Sequence, residues 1–295
     1  MRVAVVTTSY PSHEGDPSGH FVHAEVCALR DAGHDVEVVT PRAGGAFGWP
    51  GVAARLRAFP PRALELASFV RHARAVVTRG GFHRVFAHWA LPSAWPIASA
   101  CRAPLEIVSH GADVRLLAAL PVAARAPLVT HLAERAEVWR FVSQALWDRL
   151  AGALPHAARG ALARVAVVAP PPLSLPPLAA DAIAARRAAR GSLYVSVGRL
   201  VSKKRVDRVV AHVATRRSAG EDASLVVVGD GPERPRLSRL ARELRVPSRF
   251  VGMTTHAEAL TWIAAADALA FASEEEGLST VLREAEALGT AVVHV

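Results

Sequence analysis

Short runs of apolar and β-branched residues alternate along this chain with longer stretches whose apolar positions recur every three or four residues. "RVAVVTT" opens as a strand. "HFVHAEVCALRDAG" follows as an amphipathic helix closed by Gly33, and "DVEVVTP" is the second strand. "HRVFAHW", "PLEIVSHG", "EVWRFVS" and "ARVAVVAP" read as four more strands, with helical stretches such as "LPSAWPIASAC" and "APLVTHLAERA" between them. Pro170, Pro171, Pro172, Pro176 and Pro177 then interrupt the pattern, because proline continues neither a helix nor an inner strand. Beyond them the alternation restarts with "LYVSVGRL", "SLVVVGDG", "SRFVGM", "ALAFAS" and "AVVHV" as strands. Such alternation implies βαβ units and parallel sheets. The expected architecture is α/β: two doubly wound Rossmann-like domains facing a cleft, residues 1–172 and 191–295, joined by a linker over 173–190.

Ligands of open α/β sheets sit at the carboxyl ends of strands, so chemistry is sought just after each strand. In "FASEEEGLSTVLREAEALGTAVVHV" an apolar strand delivers Glu276 to a turn, and a helix follows with Ser279 placed as its N-cap. Val281, Leu282, Ala285 and Leu288 share one face of that helix. Glu284 lies on the border of the stripe, where a buried carboxylate needs a partner. Two carboxylates flanking a strand end suit a hydroxyl-rich ligand, since ionised carboxylates only accept hydrogen bonds. One helix-dipole partner and one solvated glutamate would give the same pattern.

In "VSVGRLVSKKRVD", Gly198 and Arg199 follow a strand directly and Lys204 comes shortly after, the donors a pyrophosphate requires. Solvated loop cations are the alternative. "VVVGDGPERPRL" runs a strand into Gly229, Asp230 and Gly231, with Pro232 suited to a first helical turn. "IVSHGADVRLL" ends a strand on His110, able to bond a hydroxyl or a phosphate, and His88 ends the preceding strand in the same way. "SYPSHEGDPSGHF" joins the first strand to the first helix, a favoured place for phosphate contact through backbone N–H groups.

A net charge of +9 favours anionic partners without choosing among them. A nucleic-acid surface would interleave aromatic platforms with the basic residues, and only 6% of residues are aromatic. No complete G-x-G-x-x-G follows a strand, which argues against a nicotinamide oxidoreductase. The thirteen histidines form no HxH or HExxH cluster, and Cys27 and Cys101 are isolated, so no metal site is expected. Between Arg55 and Arg84, basic residues at Arg57, Arg62, Arg71, Arg74 and Arg79 interleave with Leu56, Phe59, Leu64, Leu66, Phe69 and Val70, with Glu65 the sole acid. After Pro61 this stretch can form a basic amphipathic helix, either the solvated face of an Arg-rich protein or a docking surface for anionic lipid.

Taken in order, these motifs resemble the family 4 glycosyltransferases of the GT-B fold. "SEEEGLSTVLREAEALGTAVV" is similar to the family's E-x7-E element, "GRLVSKKRVD" to its Gly-Arg-Leu…Lys…Asp segment, and "VVVGDGPERPRL" to its second glycine turn. "SHGADVRLL" resembles its His-Gly-x-Asp, and "FVSQALWDRL" its Val-Ser helix opening. The resemblance implies retaining transfer of a sugar from a nucleotide-diphosphate sugar to a carbohydrate or lipid-linked acceptor. Arg199 and Lys204 would hold the diphosphate, Glu284 the ribose hydroxyls and Glu276 the sugar hydroxyls. His110 would reach the sugar or the reacting phosphate from the other domain, and Gly19 would allow close backbone approach. No resident cofactor or metal is implied, nor a nucleic-acid partner. The expected location is the cytoplasm, at the inner face of the membrane. The chain departs from the pattern at Arg205, where the family commonly has glycine. It also stops on an apolar strand at Val295, so the second domain is expected to be incomplete. An inactive nucleotide-sugar-binding remnant and a nucleotide-sugar epimerase on the same fold are the competing expectations.

Overall fold

A computed structural model describes residues 1–13, 16, 19–41, 45–47, 52–173, 175–187, 191–273 and 278–295. The chain divides into two compact units. One comprises Met1–Ser12 and Ser18–Pro172; the other comprises Leu173–Val295 together with His13–Pro17.

The first unit runs β1 (Arg2–Val6), α1 (His20–Asp31), β2 (Asp35–Val39), α2 (Val52–Ala58), α3 (Ala63–Arg79), β3 (Arg84–His88), α4 (Trp95–Ala98), β4 (Leu105–Ser109), α5 (Ala112–Ala119), α6 (Val122–Arg135), β5 (Val138–Phe141), α7 (Gln144–Gly152), α8 (His156–Ala163) and β6 (Ala166–Val168). Its six strands are parallel in the order β2-β1-β3-β4-β5-β6, so the direction of winding reverses between β1 and β3. Helices cover both faces of the inner strands, which past their first residues are apolar but for His88, Ser109, Glu106 and Arg140 on β3, β4 and β5. Val22 and Val26 of α1 pack on Val3, Val5 and Phe86. Register places Phe86 beside Glu106, His88 beside Val108, and Val108 beside Arg140. That sheet face therefore carries three polar side chains among its valines. The stretch "LPSAWPIASAC" departs from the expected helix. Only Trp95–Ala98 is regular α-helix, and Leu91 is extended (φ −126°, ψ 134°) just before Pro92.

The second unit runs α9 (Ala180–Arg187), β7 (Ser192–Val197), α10 (Val206–Ser218), β8 (Ala223–Val228), α11 (Arg234–Glu243), β9 (Ser248–Gly252), α12 (His256–Ala265), β10 (Ala268–Phe271), α13 (Thr280–Ala287) and β11 (Ala291–His294). The parallel order is β11-β10-β7-β8-β9, with the reversal between β7 and β10. One face buries Val209, Val210 and Val213 of α10 against Leu225 and Val227; the other buries Leu260 and Ile263 of α12 against Val195 and Val226.

The stretch over 173–190 is more than a linker. Leu175 and Leu178 pack on the α12 side of the core, and α9 sets the Arg186 guanidinium 5.0 Å above the Trp262 ring. The prolines set where the first unit ends, but the apolar positions after them belong to the second. No helix among the described residues is long and apolar enough to cross a membrane.

Candidate functional site

The carboxyl ends of β3 and β4 are tied together by one buried carboxylate. Asp113, at the start of α5, accepts from the Ala90 N–H at 2.8 Å, the Ser109 hydroxyl at 2.7 Å and the Gly111 N–H at 3.1 Å. Ser109 in turn accepts from the Trp139 indole N–H at 3.0 Å. Burial pushes the Asp113 carboxyl up, and these donors pull against that. Two turns from different strands are thus held in register, and each presents a histidine.

His88 is fully buried and His110 half-buried, with His88 Nδ1 and His110 Nε2 2.9 Å apart. The rings tilt by only 13°, and their centroids lie 5.2 Å apart. That separation exceeds the N···N distance by two ring radii, so the imidazoles meet edge to edge along a hydrogen bond. Phe21 and Trp89 hold the His110 ring at centroid distances of 4.7 and 5.0 Å. Trp89 does so with a positive φ of 70°, a conformation that costs a bulky residue about 1–3 kcal/mol.

Behind the pair lies a chain of charges, buried at Glu25 and Arg140 and reaching the surface at Glu137. Arg140 on β5 pairs with Glu25 of α1 and donates to Glu106 at 2.9 Å. Arg84 bonds both Glu106, at 3.4 Å, and Glu137, at 2.9 Å. Burial holds His88 well below the ordinary histidine value, with His110 and Arg140 adding to it; burial and Arg140 push His110 down to about 3. Both rings are therefore neutral at neutral pH. Burial raises Glu25, opposed by Arg140.

In the second unit the candidate residues gather at the ends of three adjacent strands. Gly198 and exposed Arg199 follow the central strand β7, and Lys204 ends a single 3-10 turn before α10. The turn after β8 lies directly against the turn after β7. A Cβ on Gly229 would meet the Gly198 carbonyl oxygen at 2.0 Å, and one on Gly231 would meet that of Leu200 at 2.4 Å. The two glycines are needed so that one backbone can touch another. Asp230 fixes the turn by accepting from the Gly231 N–H at 2.7 Å and from Arg234 at 2.7 Å; these hydrogen bonds hold its carboxyl below the usual range.

On the other side of β7, after β10, α13 carries Glu284. The carboxylate is buried, 2.7 Å from His256 Nε2 at the start of α12, while Glu286 is exposed. That pair supplies the partner a buried carboxylate requires. Ser279 does precede the helix, but its side chain makes no capping hydrogen bond.

Residues 184–295 match the family model described as "Glycosyl transferases group 1". The chain carries a glycosyltransferase group 1 domain. A GDP-mannose-dependent alpha-(1-6)-phosphatidylinositol dimannoside mannosyltransferase of Mycobacterium tuberculosis is 36% identical over 102 residues, 34% of this chain. The match spans about a quarter of that relative's length, 26%. Among solved structures, a sucrose-phosphate synthase from Thermosynechococcus elongatus superposes with a TM-score of 0.71 at 20% identity, over 99% of this chain and 80% of the other. Anabaena Alr3699/HepE, in complex with UDP and glucose, superposes with a TM-score of 0.65 at 17% identity, over 100% of this chain and 80% of the other. The two-sheet α/β fold, of the GT-B class, is shared with these structures.

Within the glycosyltransferase domain, Gly198, Arg199, Lys204, Gly229, Gly231 and Glu284 come to one edge of the sheet, on both sides of β7. Glu276 lies outside the described residues, as does part of the first loop. Gly19 has a local role: a Cβ there would meet the Ser9 carbonyl oxygen at 2.3 Å. The unusual Arg205 adopts a left-handed conformation (φ 48°, ψ 38°), which explains why glycine suits that position. Glu25, Glu106, Arg140 and His256 were not read as site residues, and Asp113 entered only as part of a motif. Glu25 on the apolar face of α1, between Val22 and Val26, was the available signal, as was Arg140 inside the run "VWRF".

The glycine contacts set an order of stabilities. Gly229→Ala or Gly231→Ala should each cost at least about 2 kcal/mol, from backbone overlap and strain. Arg205→Gly should change stability by less than about 1 kcal/mol, relief of strain offsetting the Asp207 ion pair at 3.3 Å. Denaturant unfolding tests this, and an alanine at 229 as stable as glycine refutes the packed turns.

The neutral histidines set a pH dependence. A buried ring stays unprotonated where the unfolded chain's histidine, near 6.5, takes a proton. Stability then falls below about pH 6.5, by up to about 1.4 kcal/mol per pH unit per ring, until the folded value is passed. Glu25 and Asp113 act oppositely, regaining stability as pH drops through their raised values. The stability of the first unit should fall from pH 6.5 to 5.5, and His88→Asn should flatten that slope. An unchanged slope in the variant would show that His88 is not held neutral.

Proposed function

We propose that this chain transfers a sugar, with retention at the anomeric carbon, from a nucleotide-diphosphate sugar to a hydroxyl acceptor in glycan or glycolipid synthesis. The observation that carries the reading is the placement of donors and acceptors around β7. Arg199 and Lys204 follow β7 itself; Glu284 stands on the helix after β10; and the winding of the sheet reverses between those two strands. Open α/β sheets bind nucleotides at such a reversal. Cations there meet the charge that grows on the diphosphate as the sugar–phosphate bond breaks, and they require no reorganisation at that moment. Glu284, oriented by His256, accepts from the ribose hydroxyls. Glu276 is assigned to the sugar hydroxyls, and His110 to the sugar or the reacting phosphate. The nucleotide sugar is substrate, and the reaction as proposed draws on no resident cofactor or metal.

Arg199→Ala and Lys204→Ala should each weaken binding of a nucleoside diphosphate by about ten-fold or more, since a charge-assisted hydrogen bond contributes about 1.5–3 kcal/mol. Binding of the free nucleoside should change far less. Calorimetry with UDP, GDP and their nucleosides decides it, and equal losses for nucleoside and diphosphate end the assignment. Binding without transfer would favour a nucleotide-sugar-binding module.

A lipid-linked acceptor at the cytoplasmic face of the membrane is the second part of the proposal. Its support is the outer surface of α2 and α3. Phe69, Ala73, Val76 and Val77 of α3 turn inward, whereas Leu64 is 75% exposed and Phe59 54% exposed. Arg62 lies over the Phe59 ring, and Arg57 and Arg71 are exposed. Other arginines of the stretch serve the fold. Arg74 donates to the Pro96 carbonyl at 2.6 Å, Arg79 pairs with Glu37, and Arg84 bonds Glu106 and Glu137. The relative whose name specifies a phosphatidylinositol dimannoside acceptor supports a lipid-linked substrate. At low salt the protein should co-sediment with vesicles containing anionic lipid, each basic residue contributing about 1 kcal/mol. Arg57→Glu with Arg71→Glu should release it, as should Phe59→Ser with Leu64→Ser. Indifference to lipid charge would leave these arginines as a solvated face.

A further inference from the structure

The buried ends of the charge chain leave two atoms facing each other. Glu25 Oε2 and His88 Nε2 are both buried, neither has a hydrogen-bond partner among the described residues, and they lie 4.0 Å apart. Glu25 Oε1 is held by the Arg140 guanidinium, and with that ion pair formed Oε2 is an acceptor only. A bare His88 Nε2 would set lone pair against lone pair in a buried site. An N–H at Nε2 sets donor toward acceptor. A neutral imidazole carries one N–H, so His88 Nδ1 is then the acceptor in the 2.9 Å bond between the rings. His110 Nε2 supplies that proton, and His110 Nδ1 is left as a lone pair.

We propose that Glu25 and His88 are positioning residues that fix His110 in its Nε2–H tautomer, so that Nδ1 accepts a hydrogen bond from a substrate hydroxyl. The choice of acceptor over donor is a statement about ligand class. A bare Nδ1 welcomes a sugar hydroxyl and repels an unprotonated phosphate oxygen. Between the two ligands considered for His110, the relay therefore selects the hydroxyl. The other groups named around the pair keep both rings neutral and in place. Arg140, the nearest fixed cation, disfavours protonation of either ring. Phe21 and Trp89 fix the ring plane without competing for its nitrogens. Asp113 spends its acceptors on Ala90, Ser109 and Gly111 and holds the turns on which the histidines sit. This rests on the transferase reading only for the identity of the hydroxyl, not for the tautomer.

The tautomer is read directly from the 15N shifts and two-bond couplings of histidine rings in the full-length protein, labelled at histidine and assigned with single variants. At neutral pH both His88 and His110 should report as neutral Nε2–H rings. In Glu25→Gln, whose side chain can also donate, the pair should shift toward the Nδ1–H forms. His88→Asn keeps an acceptor near the position of Nδ1 and should preserve the His110 tautomer; His88→Leu, a better match for an apolar core, should lose it. A purely structural role predicts the reverse order, with leucine tolerated and asparagine not. In a transfer assay, Glu25→Gln and His88→Leu should lower kcat on the order of ten-fold or more while the KM for the donor changes little. A His110 ring carrying its proton on Nδ1 in the wild type, or a tautomer unmoved by Glu25→Gln, overturns the proposal. If the rings behave as stated while no nucleotide sugar is turned over, the relay stands and the transferase reading falls.

Discussion

Arg140 is a guanidinium on an inner strand of a parallel sheet, and much of the first unit is organised around its charge. An ion in that position has lost its water, and it persists only if carboxylates replace the water. Glu106 does so from the neighbouring strand and Glu25 from the helix above. The second contact seats α1, because Glu25 sits between Val22 and Val26 on the apolar face of that helix. Removing one partner from such a cluster typically costs 3–5 kcal/mol, whereas the intact cluster adds little net stability. Its value lies in direction. It fixes a helix against a sheet in one register and leaves one carboxylate oxygen facing His88.

The layout of both sheets was legible in the sequence, and for one reason. Strands buried on both faces must be apolar throughout, and runs such as "RVAVV" and "SLVVV" have few other readings. The donor residues were legible because parallel strands place their carboxyl ends together, so a motif after each strand maps onto one edge of the sheet. Glu284 was separable from Glu286 by helical spacing, and the two differ in burial as that spacing requires. The charge chain was much harder to read. Glu25 and Arg140 are 115 residues apart, and nothing local announces that two such side chains meet. The same holds for His256 and Glu284, 28 residues apart. Proline misled in the other direction. It marked the end of the first unit, but it also hid Leu175, Leu178 and α9, which complete the core of the second.

The two units solve one problem by different means. Each must hold loops still at the ends of parallel strands, where the regular hydrogen bonding of the sheet stops. In the second unit the turns after β7 and β8 brace each other by direct backbone contact at Gly229 and Gly231. In the first, the turns after β3 and β4 are bridged by the side chain of Asp113, and the histidines they carry bond to each other. Backbone contact tolerates almost any neighbouring side chain but no Cβ at the contact itself. A side-chain bridge tolerates backbone variation but needs every polar atom satisfied.

That difference bears on what each unit can do chemically. A braced backbone holds still the loops that carry Arg199 and Lys204, which suits a ligand recognised by charge, as a diphosphate is. A bridged polar cluster presents ring nitrogens whose donor or acceptor character depends on groups two bonds deeper in the core, which suits a ligand recognised by the direction of its hydroxyl protons. Burial alone would leave a neutral histidine free to hold its proton on either nitrogen. The carboxylate 4.0 Å from His88 makes the two choices unequal, and Arg140 keeps that carboxylate in place. The buried ion that seats α1 thus also sets the chemistry of the strand-end histidine, and neither role can be altered without the other.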